Sequence, residues 1–188
     1  MKHVSLIFFP LLSCFASFCQ VNDRERIKEI SPFSIGDSLA KYKSFITCAG
    51  AVNNGKPYEA DLNCKIYQSL PGQKDSFSFD GIKFSAVYFT TDDLKTIKTI
   101  MYYKGYAGAY SGPKEKELQN EYDTLVNYFN DIFQMAGLKE KTAKNKYFIQ
   151  TGMTWKKERL KLLLQKTSNK NATSGKNVTN ITITLLQE

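Results

Sequence analysis

The sequence predicts an α+β fold: an antiparallel β-sheet with two main helices packed on one face, in the order helix, strands, helix, strands. Three observations carry this. Two stretches, 37–46 and 113–136, repeat apolar residues at helical spacing. Between and after them lie runs that alternate apolar and polar residues, as half-buried strands do. Turn-forming residues separate the runs, so the helices fall on one face of a meandering sheet. At 188 residues the chain suits a single domain, and 42% hydrophobic with 23% charged residues is a globular composition.

The first twenty residues read as an address. Lys2 gives a basic start, Val4 to Phe18 is apolar, and Ser17 and Cys19 are small residues two apart. That is the layout of a secretory signal peptide over 1–19. The stretch is short for a membrane span and Pro10 interrupts it. Leu11-Leu12-Ser13-Cys14 also resembles a bacterial lipobox, which implies lipid attachment at Cys14. The chain is therefore expected to be exported, periplasmic or extracellular, with an outer-membrane lipoprotein as the alternative. Residues 20–33 form a polar leader, and 34–188 form one α+β domain. No later apolar run approaches spanning length, so no transmembrane span is expected in the mature chain. Cleavage after Cys19 leaves Cys48 and Cys64. In an oxidising compartment they form one disulfide; two buried free thiols on neighbouring strands are the alternative.

The first helix is expected from Asp37 to Ile46, with Leu39, Tyr42 and Ile46 on one stripe, Phe45 beside it, and Gly36-Asp37 at its start. Asn53 to Pro57 is a turn, and Tyr58 to Ile66 alternates as a strand. Phe77 and Phe79 lead into Asp80-Gly81, a hairpin signal. A strand from Ile82 to Phe89 follows, then a turn over Thr90–Asp93. The strand Leu94–Tyr103 comes next, with Ile97, Thr99, Met101 and Tyr103 on one side. Pro113 suits the first position of a helix, Glu115 and Glu117 suit its dipole, and Gly137 its C′ position. Leu118, Tyr122, Leu125, Phe129, Ile132, Phe133 and Ala136 mark its apolar face. Tyr147–Gln150 and Met153–Trp155 read as short extended pieces. Arg159–Lys166 reads as a strand, with helix as the alternative because Leu163 breaks the alternation. Val178–Leu186 is the last strand, carrying Ile181, Ile183 and Leu185.

The segment Phe-Ser-Ile-Gly-Asp-Ser-Leu-Ala-Lys-Tyr (33–42) resembles the opening helix of small secreted α/β repeat domains. These are the β-lactamase-inhibitor-like and outer-membrane-assembly-lipoprotein-like folds. The hairpin at Phe89–Ile97 is similar in style. The resemblance covers about a third of the chain. It implies a non-catalytic binding module and assigns no functional residue.

Composition closes several chemistries. The single histidine is His3, inside the expected signal peptide. Without it there is no Ser-His-Asp or Cys-His nucleophilic site and no histidine metal ligand. Two thiols alone rarely complete a tetrahedral metal shell. No catalytic, cofactor or metal residues are assigned. Asp92-Asp93 is a carboxylate pair, but it falls where a turn favours Asp. The loop Gly105–Gly112 lies between strand and helix but lacks the phosphate-loop ending. Tyr103, Tyr106 and Tyr110 form a candidate aromatic contact surface.

Charge is uneven. The formal net charge is +8; residues 139–188 hold 11 basic and 3 acidic side chains, whereas 20–138 hold 14 and 15. The basic lobe comprises Lys139, Lys141, Lys144, Lys146, Lys156, Lys157, Arg159 and Lys161. Such a lobe suits anionic lipid, glycan or an acidic protein, or is a solvated surface. Nucleic acid is not expected, since the protein is exported and only Arg24, Arg26 and Arg159 are arginines. Asn171, Asn177 and Asn180 open glycosylation acceptor patterns. Taken together, the sequence favours a secreted or periplasmic non-catalytic binding domain with an unknown protein or envelope component as partner. Peripheral membrane contact is admitted. A histidine-independent secreted hydrolase or lyase is one alternative, and a lipid-anchored surface protein is another.

Overall fold

Among the described residues one α-helix accompanies a large antiparallel sheet, which corrects the expected fold of two helices on a sheet. The structure is a computed structural model that describes residues 31–49, 64–70, 77–106, 112–146, 148–169 and 179–188. Contacts divide the chain into two compact units, Met1–Pro32 and Phe33–Glu188. The helix and all the described strands belong to the second unit.

The first expected helix is only a 3-10 turn at Leu39–Tyr42, followed by strand β1 at Ile46–Cys48. Leu39, Tyr42 and Ile46 are buried as their spacing predicts, while Phe45 is exposed. One turn and one strand satisfy that burial as well as a helix would. Ser38, at the start, makes no side-chain cap bond. Asp37 instead accepts from Tyr42 Oη at 2.5 Å and Lys41 Nζ at 2.7 Å, which ties off a single turn. Gly36 has φ +91° there, a conformation that glycine adopts at little steric cost.

β2 (Ile66–Ser69) pairs with β1. The expected strand over 58–66 lies outside the described residues except for its last members. Phe77–Phe79 (β3) and Ile82–Phe84 (β4) form a separate hairpin whose turn residues Asp80 and Gly81 have φ of +46° and +77°. Both values suit the primed turns that hairpins favour. The expected strand Ile82–Phe89 breaks at Ser85. Its amide and hydroxyl both donate to the Tyr103 carbonyl, at 2.9 and 3.0 Å. Beyond that break, β5 (Ala86–Thr91) joins the main sheet and pairs with β6 (Ile97–Tyr106), with a bulge at Thr90/Thr91.

Helix α1 spans Gly112–Phe133. Leu118, Tyr122, Leu125, Phe129 and Phe133 are buried as the heptad-like stripe requires, whereas Ala136 is exposed beyond its end. Gln134 (φ +52°), not Gly137, takes the left-handed position after the helix. Gly137 has another reason to be glycine: a Cβ there would lie 2.6 Å from Trp155 Cε2. Two-residue strands β7 (Leu138–Lys139) and β8 (Ala143–Lys144) follow, and both pair with β9 (Phe148–Lys157). The two short pieces expected at 147–155 are thus one long strand. β10 (Leu160–Asn169) and β11 (Thr179–Gln187) complete a nine-stranded sheet in the order β1-β2-β5-β6-β11-β10-β9-β7, with β8 also on β9.

The core lies on one face of this sheet. Cross-strand register places Tyr67, Phe89, Ile100, Leu185, Leu162 and Trp155 in one row, all buried. The β3–β4 hairpin covers one part of it through Phe79 against Tyr102 and Phe129, and α1 covers another through Phe129 and Phe133 against Trp155. Trp155 Nε1 donates to Asn130 Oδ1 at 3.0 Å, and the same oxygen accepts from the Gly137 amide at 2.9 Å. One asparagine therefore satisfies the buried indole and holds the turn after the helix.

Candidate functional site

The opposite face of the sheet has no element packed on it among the described residues. The ring contacts that bind the hairpin, α1 and the Phe33 segment to the sheet involve Phe89, Tyr102 or Trp155, whose side chains all point to the covered side. Side chains alternate across a strand, so the residues between these define the open side. The longest open row runs Gln68, Tyr88, Met101, Thr184, Leu163, Thr154 and Leu138 across seven strands. Strand spacing makes it roughly 29 Å long. A second row holds Ala86, Tyr103, Thr182, Gln165 and Gly152. Neither row contains an ionisable carboxylate, lysine or arginine.

Tyr88 and Tyr103 meet edge to face across β5 and β6, with ring centroids 6.3 Å apart. Burial, and then the neighbouring Tyr88, hold the Tyr103 hydroxyl above its usual pKa, so it stays a neutral donor. Thr90 and Thr99 pair through their hydroxyls at 2.6 Å. Thr154, nearly fully buried, donates to Glu140. The result is a flat surface of methyl, thioether, ring and hydroxyl groups. Among the described residues charge enters at Glu140, which accepts from Thr154, and at the border where Lys156 and Lys161 share Glu188, at 2.9 and 3.6 Å.

The expected tyrosine surface is split by this geometry. Tyr103 is on the open face, but Tyr106 is buried on the covered face and donates to Glu121 of α1. Tyr110 lies outside the described residues. Glu121 also receives Lys104 Nζ at 2.5 and 2.6 Å. Burial first, and the Glu121 hydrogen bond next, raise the Tyr106 hydroxyl far above its usual pKa. Beside them Lys166 donates to Gln119, lies 4.9 Å from the Tyr122 ring centroid, and is lowered by burial. Lys104 and Lys166 flank Ile181 in one cross-strand row. The residue types would suit acid–base work, but each polar group is engaged by another. Their effect is to fasten α1 to the sheet.

Cys48 and Cys64 are bonded, with an S–S distance of 2.01 Å. The bridge joins the end of β1 to the residues leading into β2. Asp92 and Asp93 occupy a turn: Asp92 accepts the Thr96 amide at 2.9 Å and pairs with Lys98 at 3.0 Å, and Asp93 pairs with Lys65 at 3.2 Å. The Thr96 amide, and then Lys98, hold the Asp92 carboxyl below its usual pKa, which suits a turn anchor rather than a proton donor. The middle of the Gly105–Gly112 loop is outside the described residues, as are Asn171 and Asn177. Asn180 lies within β11.

The basic lobe also divides. Lys157 ends β9 and Arg159 lies in the turn to β10, where Arg159 O accepts the Glu188 amide at 2.9 Å. Lys139, Lys141, Lys144 and Lys146 run along the β7–β8 edge and are exposed. Among the described residues no group of His, Cys, Asp and Glu could hold a metal ion, and no helix is long and apolar enough to cross a membrane. The open face went unread in the sequence. Its signal was present: Thr182, Thr184, Leu163 and Gln165 fall in the phase opposite to the buried Ile and Leu. No family model matches the chain, and neither does any curated protein or solved structure.

Proposed function

We propose that the protein is an exported, non-catalytic binding domain that docks a partner protein on the open face of its sheet. The observation that carries this reading is the row from Gln68 to Leu138, which spans seven strands, holds no charged side chain of its own, and has no helix or strand packed over it among the described residues. Partner-binding cores are depleted in charge and use tyrosine and methionine, as this face does at Tyr88, Tyr103 and Met101. The signal-peptide layout of 1–19 and the Cys48–Cys64 disulfide support export, to the periplasm or the medium. The likeness of 33–42 to secreted inhibitor-like and assembly-lipoprotein-like domains supports a non-catalytic role. The polar groups gathered at Glu121 are mutually bonded and give a hydrolase or lyase reading no free acid or base.

The test is affinity capture from the native envelope or medium with the wild-type chain and with Met101→Asp. A protein recovered by the wild type and lost from the variant, with unchanged thermal unfolding, supports the reading. Equal recovery by both removes the open face from the interaction.

A further inference from the structure

The sheet edge opposite β1 carries exposed apolar and basic side chains, Leu138 towards the open face and Lys139 and Lys144 in the opposite phase. Met135 and Leu138 are 41% and 64% exposed, and the chain continues directly into Lys139, Lys141, Lys144 and Lys146, all exposed. Lys139, Lys141 and Lys144 have no acidic partner among the described residues. The segment's one carboxylate, Glu140, is drawn back onto the sheet by Thr154. The exposed charge of 135–146 is therefore all positive. Asp131, one turn earlier on α1, is the exposed acid nearest to it in the chain.

We propose that this edge, 135–146, is a membrane-surface contact that binds an anionic phospholipid bilayer. Two features select the partner. The cations are lysines, which are compact point charges suited to diffuse phosphate headgroups rather than to bidentate recognition. The apolar side chains select a bilayer over a soluble polyanion, because only a bilayer offers Met135 and Leu138 an apolar phase. Lysines at a sheet edge also deter edge-to-edge pairing. That role needs no exposed Leu138 and is indifferent to lipid charge. The contact borders the open face, with which it shares Leu138, but its lysines and Met135 are not part of that face's rows, so the lipid test does not depend on a protein docking there.

Co-sedimentation of the full chain with phosphatidylcholine vesicles, with and without phosphatidylglycerol, tests this. The apolar stretch of 4–18 partitions without regard to headgroup charge, so the signal is the gain that phosphatidylglycerol produces. The expected gain is large at low salt and falls as salt rises. Each lysine removed lowers it roughly fivefold, so Lys139→Glu with Lys141→Glu and Lys144→Glu abolishes it. Leu138→Asn, or Met135→Asn as a second variant, removes apolar surface without adding charge, so it reduces the gain but leaves retention on immobilised polyphosphate unchanged. Leu94→Asp, at an exposed turn elsewhere, changes neither. The proposal is overturned by no gain for the wild type, or by a gain that the triple variant retains. A gain that survives both apolar variants also overturns it, and assigns the edge to soluble polyanions.

Discussion

The two faces of this sheet are made by the same strands and differ in what lies on them. On the covered face the central rows are aromatic and aliphatic, and Trp155, Tyr67, Phe89 and Leu162 are fully buried. On the open face the same strands present Met101, Tyr103, Thr182, Thr184 and Leu163, each half-buried. Stability comes from the first face, and the second is the one proposed to bind a partner. Large side chains release free energy by leaving water altogether, and among the described residues α1, the β3–β4 hairpin and the Phe33 segment cover them. A face left half-wet adds little to folding and is free to meet a partner.

The largest expected effect is at Trp155. Trp155→Ala empties the space between Phe129, Phe133 and Leu162 and leaves Asn130 without its indole donor. It should cost about 3–5 kcal/mol in denaturant unfolding. A loss below about 1 kcal/mol would break the comparison, since the covered face would then carry no more stability than the open one. Next comes the bridge at the sheet's first edge, which belongs to both faces. Cys48→Ser with Cys64→Ser opens a loop of sequence separation 16 and should cost about 3 kcal/mol. The wild type under reductant should match the double variant.

Alkali separates the faces in a different way. On the covered face, burial pushes the Tyr122 hydroxyl up to about 12, and Tyr106 is also raised. A raised folded-state pKa means that stability is complete below the unfolded tyrosine value of 10.0 and is lost as pH climbs from there towards 12. Unfolding free energy measured across that window should fall, and Tyr122→Phe should flatten the fall. The smallest effect is on the open face. Met101→Thr should change stability by less than about 1 kcal/mol, while weakening any protein contact made there.

Much of this was legible in the sequence where the signal is local. The stripe from Leu118 to Phe133 reads as a helix because it repeats one period over most of a twenty-two-residue helix. Asp80-Gly81 reads as a hairpin turn because both residues tolerate positive φ. Ile181, Ile183 and Leu185 alternate and are buried. The pairing of Cys48 with Cys64 followed from their being the two cysteines beyond the expected cleavage point. The stretch from Asp37 to Ile46 misled because three apolar residues are too few to separate a helix from one turn and a strand. Gly137 misled because glycine suits a helix C′ and a close approach equally, and the ring that approaches belongs to Trp155, eighteen positions away in the chain. The tyrosines at 103 and 106 look alike in sequence, yet fall on opposite faces because their spacing is odd.

By itself the sequence determined the strand phases, the long helix, the absence of histidine chemistry beyond His3 and the basic excess of the last fifty residues. Each of these is a property of near neighbours or of composition. Tertiary structure decided which phase is covered, since that depends on where α1 and the β3–β4 hairpin land on the sheet. It also decided which lysines are neutralised. Lys156 and Lys161 meet Glu188, Lys104 meets Glu121, and the edge lysines Lys139, Lys141 and Lys144 stay exposed. Alternation makes two faces in any strand, but only long-range packing gives one of them to the core.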